Sequence, residues 1–118
     1  MTENLTFKNP RLPHLSVITA HALVDTGCTC LCIPESICAQ LALETLETRE
    51  AELADGSRKF VRYVGPVEVR FRGRAAYCGA LVMGDQVLLG VIPMEDMDLI
   101  VVPKTQTLEF NPRGAVRV

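Results

Sequence analysis

Ala22-Leu23-Val24-Asp25-Thr26-Gly27-Cys28-Thr29-Cys30-Leu31-Cys32-Ile33-Pro34 decides how the rest of the chain is read. Three apolar residues run into an acid, Thr26-Gly27 turns the chain, and a second apolar segment follows. This is the pattern of a buried strand that delivers a carboxylate to a tight turn. Ionising a carboxylate beside an apolar strand costs free energy unless something compensates. Asp25 is therefore a candidate functional group. The plainer alternative is an Asp-containing turn after a strand.

Upstream of this stretch, residues 5–9 alternate apolar and polar and predict a first strand. Pro10 and Pro13 break it into a loop. Residues 15–20 and 21–24 predict strand leading into the Asp25 turn. Downstream, residues 31–33 form a further short strand. Pro34 suits a first helical turn and Glu35 adds charge of the favourable sign there. Ile37, Cys38, Leu41 and Ala42 recur at helical spacing, so a helix is expected over 35–41.

Residues 44–54 have helix propensity but also alternate in part, through Leu46, Thr48, Ala51 and Leu53. Asp55-Gly56 is a strong hairpin signal, so 46–64 is read mainly as a β-hairpin. Gly65-Pro66 marks a break. Val67, Val69 and Phe71 then alternate with Glu68, Arg70 and Arg72 in a half-buried strand. Gly73 turns into a strand over 76–83, and 87–90 is a short buried run. Residues 93–97 fit one helical turn. Residues 99–102 and 107–110 frame a last hairpin around 103–106. Pro112 and Gly114 open a loose tail, mobile or used in an interface. Many short strands, regular turns and one short helix predict a mostly-β, closed or barrel-like fold. The whole chain, 1–118, is expected to be a single domain.

The formal charge of -2, without a long Lys/Arg run, leaves no basic footprint for nucleic acid. Trp is absent and aromatic residues make up 5%, so platforms for stacking bases are scarce. The apolar run over 87–94 is far short of a membrane span. The first residues lack the basic-then-apolar layout of a signal peptide. The expectation is a cytoplasmic protein, with no membrane or nucleic-acid partner, whose five cysteines are reduced.

At Asp25-Thr26-Gly27 the sequence resembles the retropepsin-like aspartic proteases, specifically the small bacterial proteins of that clan. The resemblance covers nearly the whole chain. It runs through 22–27, Ile33-Pro34 before a helix, Ala54-Asp55-Gly56-Ser57 at the hairpin and Gly65-Pro66-Val67-Glu68-Val69 in the next strand. Val87-Leu88-Leu89-Gly90 matches the second signature of the family, two apolar residues and a Gly, about as far after the Asp as the family places it. Residues 93–99 resemble the stretch that follows in bacterial members. A bare Asp-Thr-Gly is weak; triplet, hairpin and Leu-Leu-Gly in this order are much more specific.

The resemblance implies a retropepsin-like closed β-barrel-like domain with a flap hairpin, acting as a homodimer. It implies an aspartic endopeptidase that cleaves peptide or protein substrates without metal or organic cofactor. One carboxylate acts as base on a water while another protonates the carbonyl oxygen. Two carboxylates about 3 Å apart share one proton, and their apparent pKa values belong to the pair. Only one Asp-Thr-Gly is present; Asp55, Asp85, Asp96 and Asp98 sit in turn or surface contexts. The second carboxylate would therefore be Asp25 of a second copy, at a twofold axis. Thr26 would hydrogen-bond across that axis, and Gly27 would let backbone approach the carboxylates. The hairpin over 53–60, with Leu53, Ala54, Asp55, Gly56 and Ser57, would close over an extended peptide held by main-chain hydrogen bonds. Leu88 and Leu89 would support the Asp turn or line a side-chain pocket. The family usually carries Ala or Ser where this chain has Cys28. Viral members have acidic residues shortly after the triplet and an Arg after the second Gly; here those places hold Thr29, Cys30 and Val91. The flap has one glycine, Gly56. Rival readings are a peptide- or protein-binding module on the same dimeric fold, and an assembly domain whose Asp25 turn only stabilises a dimer.

Other residues read more plainly. Zinc sites usually pair cysteines in loops. Cys28-x-Cys30-x-Cys32 on extended chain places the first and third thiols roughly 6–7 Å apart, too spread for tetrahedral closure. Cys38 and Cys78 read as buried small hydrophobes. Cys28 adjoins the expected dyad, so its oxidation would block the cleft. His14 and His21 lack a helix-start Cys to form a nucleophilic pair and read as surface or packed strand residues. Arg70, Arg72 and Arg74 read as the solvated side of a strand and turn.

Overall fold

A computed structural model describes residues 1–112. Its strands are β1 (Thr2–Lys8), β2 (Ile18–Val24), β3 (Leu31–Ile33), β4 (Glu44–Glu52), β5 (Arg58–Phe71), β6 (Arg74–Val82), β7 (Val87–Leu89), β8 (Leu99–Val102) and β9 (Thr107–Phe110). Two short helices, α1 (Glu35–Gln40) and α2 (Val91–Asp96), complete it. Strands β1-β2-β7-β3-β6-β5 are hydrogen-bonded in that order, and β5 returns to β1 through Thr6↔Arg70, Phe7↔Val69 and Lys8↔Glu68. The result is a closed six-stranded barrel, and closure leaves those strands without a free edge. Among the described residues strand β4 lies outside the ring, paired only to β5, and β8 and β9 form a separate two-stranded sheet.

The pleat explains which residues fill the barrel. Leu5 and Phe7 of β1, Val67, Val69 and Phe71 of β5, Ala76 and Ala80 of β6, and Val87 and Leu89 of β7 recur every second position and are buried. Glu68 and Arg70, between them, turn outward and pair at 3.2 Å. Ile37, Cys38 and Leu41 from α1, and Met94 and Met97 from α2, join the core. Phe110 meets Phe71 edge-to-face at 5.9 Å and fastens the β8–β9 hairpin to the barrel. The Arg74 guanidinium donates to the Met97 and Asp98 carbonyls at 2.9 and 3.0 Å, satisfying groups left open at the end of α2.

Most expected elements lie where their patterns put them, and the differences are local; the first strand, expected over 5–9, runs over Thr2–Lys8. The second strand starts at Ile18, not 15. Leu12 and Leu15 are drawn into successive turns, their N–H groups bonded to the carbonyls of Asn9 and Leu12. Buried Asn9 holds this loop to α1, its amide donating to the Leu41 carbonyl at 2.9 Å.

Gly65-Pro66 does not end a strand. β5 continues through it for 14 residues, and the register to β6 shifts between Val64 and Val67. Pro66, which has no N–H to give, falls inside that irregularity. Gly65 has φ +153, and a Cβ there would lie 3.2 Å from the Gly79 Cα, so the bend requires glycine.

The expected helical turn at 93–97 starts earlier, at Val91. Pro93 sits in the first turn, where a missing N–H costs nothing. There are thus two short helices among the described residues, where one was expected. The hairpin expected over 46–64 is present, with β4 over Glu44–Glu52 as its first strand despite the helix propensity of that segment. Its residues are nearly all exposed, and it is held by β5 through its ladder, by the Arg58–Glu50 ion pair at 2.9 Å and by Arg49 stacked 3.6 Å over Tyr63. Tertiary pairing overrides propensity here. The tail opened by Pro112 and Gly114 lies, beyond residue 112, outside the described residues. Among the described residues no helix is long and apolar enough to cross a membrane.

Candidate active site

Strand β2 ends at Val24, paired in parallel with Leu89 of β7, and hands the chain to Asp25. The Asp25 N–H donates to the Leu89 carbonyl at 3.0 Å, so the first backbone group of the turn is fixed by the neighbouring strand. The Cys28 N–H closes the turn on the Asp25 carbonyl at 3.1 Å. The Gly27 N–H donates to Asp25 Oδ1 at 2.9 Å, which orients the half-buried carboxylate.

Gly90 completes the support. The chain after the turn crosses directly over it: the Val91 and Ile92 N–H groups donate to the carbonyls of Cys28 and Thr29, both at 2.9 Å. A Cβ on Gly90 would lie 2.3 Å from the Cys30 carbonyl oxygen and 2.6 Å from that of Cys28. Only a residue without a side chain permits that crossing. The Leu-Leu-Gly stretch and the Asp-Thr-Gly turn, more than sixty residues apart, therefore form one structural unit.

A cleft of about 600 Å³ opens over this unit. Asp25, Gly27, Cys28, Thr29, Cys30 and Cys32 contribute from the turn and the start of β3. Leu81, Met83 and Leu88 contribute apolar surface, and Ala51, Glu52, Leu53 and Ala54 of the β4–β5 hairpin form the opposite wall.

Of the residues singled out from sequence, Asp25, Gly27, Leu53, Ala54 and Leu88 thus share one cleft. Thr26 is exposed and lies outside its lining. Leu89 is fully buried beneath the turn and supports it through its carbonyl. Asp55, Gly56 and Ser57 form the hairpin tip, beyond the lining. There the Leu53 and Gly56 N–H groups close the turn on the Ser57 and Leu53 carbonyls at 2.7 and 2.9 Å. The Ser57 hydroxyl and then its N–H hold the Asp55 carboxyl below its ordinary value. His14 and His21 are exposed, as are Asp85 and Asp96.

Sequence reasoning missed Cys30, Cys32, Ala51, Glu52, Leu81 and Met83 as lining residues. A signal existed for β6: Ala76 and Ala80 mark its core side, so Leu81 and Met83 fall on the opposite face. The thiol spacing also differs from the extended-chain expectation. Cys28 Sγ and Cys32 Sγ lie 3.7 Å apart, because the chain turns at 26–27 and bends at 30 rather than running as strand. Burial, followed by the neighbouring Cys28, then Cys30 and Asp25, pushes the Cys32 thiol up to about 12. Burial also raises Cys30, against a smaller opposing pull from Arg49. Cys38 is buried, as expected, but Cys78 is only half-buried. Among the described residues no group of three or more His, Cys, Asp or Glu side chains is arranged to hold a metal ion.

Chemically, the arrangement offers one oriented carboxylate at the floor of an open, largely apolar cleft, with exposed Glu52 at the wall. Each chain contributes a single Asp25 to this cleft. Compared with known families and curated proteins, the chain matches no family model and no curated sequence.

Proposed function

We propose that the protein is a retropepsin-like aspartic endopeptidase in which two copies bring their Asp25 carboxylates together at a twofold axis. The observation that carries this reading is the Asp25 turn. Its carboxylate is aimed by the Gly27 N–H, its backbone is fixed by Leu89, and it sits at the floor of a cleft walled by a hairpin. In the paired site one Asp25 takes a proton from water and the other gives one to the scissile carbonyl. The β4–β5 hairpin acts as a flap over an extended peptide, and the apolar wall of Leu81, Met83 and Leu88 receives its side chains. The residues do this work without metal or organic cofactor. This reading places the protein in the cytoplasm, where its five cysteines stay reduced.

The test is one set of measurements: mass in solution, cleavage of a mixed peptide library from acid to neutral pH, and both again with Asp25→Asn. A dimer whose cleavage disappears in Asp25→Asn supports the reading; a strict monomer without products sinks it. One observation favours a second reading. Each chain supplies a single Asp25 to its cleft, so a copy that binds peptide without pairing is a binding module; peptide retention without products selects it.

A further inference from the structure

Five cysteines are free, and three of them line the cleft over Asp25. Among the described residues one pair of thiols is in contact: Cys28 Sγ and Cys32 Sγ, at 3.7 Å. Their environments differ. Cys32 is 2% exposed and lies in β3, paired to Leu81 on one side and Leu88 on the other, so its backbone is fixed. Cys28 is half-buried, in the turn after Gly27, and its thiol donates to the Cys30 carbonyl at 3.2 Å. One sulfur is thus anchored, and the other is reachable from the cleft and free to rotate off a weak contact.

We propose that Cys28 and Cys32 are an oxidative modification site, closing to a reversible disulfide at the floor of the cleft when a hydroperoxide enters it. The sulfurs must move from 3.7 Å to about 2.05 Å, a shift within reach of side-chain rotation at Cys28. The Cys28 thiol gives up its proton and the thiolate attacks one peroxide oxygen; an S–O bond forms, the O–O bond breaks, and the departing oxygen takes up that proton and leaves as water or alcohol. Cys32 then attacks the Cys28 sulfur; the S–S bond forms, the S–O bond breaks, and hydroxide leaves as water with the Cys32 proton. Two thiols are oxidised and one peroxide is reduced. Part of what holds Cys32 protonated is the neighbouring Cys28. Conversion of Cys28 to an uncharged sulfenic acid removes that repulsion as the second step begins.

The bond ties the residue directly after Gly27 down to β3. The Gly27 N–H orients Asp25, so closure displaces the groups that aim the carboxylate. That consequence, reversible loss of hydrolysis, rests on the endopeptidase reading; the disulfide itself does not.

The experiment treats the reduced full chain with hydrogen peroxide and reads intact mass, alkylatable thiols and peptide hydrolysis. The wild type is expected to lose two hydrogens and two of the five thiols that alkylate after denaturation, and a dithiol is expected to restore them. Cys28→Ser and Cys32→Ser should abolish this loss, while Cys30→Ser should keep it. Cys28→Ser, at the less buried position, keeps the test decisive should Cys32→Ser fail to fold. Oxygen adducts alone, a bond through Cys30, or a link between chains would overturn the proposal. A bond that forms in a protein without hydrolytic activity upholds the disulfide and removes the endopeptidase. Hydrolysis that persists under peroxide with no bond formed does the reverse.

Discussion

Asp25 and Gly90 carry the most weight residue by residue. Asp25 is oriented by a backbone donor two residues on, a local device that any Asp-x-Gly turn can make. Its distinction comes from the strand beside it and the cleft above. If the dyad forms between two Asp25 side chains, Asp25→Asn lowers kcat by about a hundred- to ten-thousandfold. Glu52→Gln, which removes the other carboxylate lining the cleft, then costs less than about tenfold. A loss as large as that of Asp25→Asn would place the second acid in the same chain. Gly90→Ala is a test of packing: its new methyl meets the Cys30 and Cys28 carbonyl oxygens, backbone atoms that cannot rotate away. A destabilisation of about 3 kcal/mol, read from urea unfolding, is expected.

Among the elements, the β4–β5 hairpin differs most from the rest. Almost every β4 side chain is exposed, so the hairpin is held by its ladder, ion pairs and the Arg49–Tyr63 stack rather than by core burial. Such an element opens at lower cost than the barrel strands. Its tip has its own titration. Because the Ser57 hydroxyl and N–H hold Asp55 below 3.8, that stabilisation is present above about pH 4 and is lost as pH falls through the lowered value. Ser57→Ala should move the Asp55 titration, followed by carboxyl NMR shifts, upward toward 3.8. An unchanged titration would mean that the hydroxyl does not hold the turn in solution. Charged residues along the free edge of β4 also oppose uncontrolled strand pairing.

For the molecule as a whole, the barrel buries thiols that the unfolded chain would expose. Cys32 and Cys78 are both pushed up to about 12 from an ordinary value of 9.0, chiefly by burial; the Asp96 carboxylate adds to the effect at Cys78. The folded chain therefore keeps protons that the unfolded chain releases above pH 9. Stability from these groups is complete below pH 9 and falls as pH rises toward 12. The urea midpoint should drop across that window, and less steeply in Cys78→Ala; equal slopes would show that Cys78 titrates freely in the folded state.

Much of this was legible in local pattern. The strand into Asp25, the helix after Pro34, the Asp55-Gly56 hairpin and the closing hairpin over 99–110 each follow from periodicity and turn chemistry that act within a few residues. What periodicity could not supply was the meeting of distant segments. Gly65-Pro66 was absorbed into β5 because β6 tolerated a shifted register. The carbonyls of Cys28 and Cys30 pack against Gly90, more than fifty residues on, because that position carries no side chain. By itself the sequence determined the alternation of apolar residues, and hence which faces had to be buried. Only the tertiary structure decided which strands closed the ring and which side chains faced the cleft. Those choices depend on contacts between segments tens of residues apart, whose energies no short window of sequence contains.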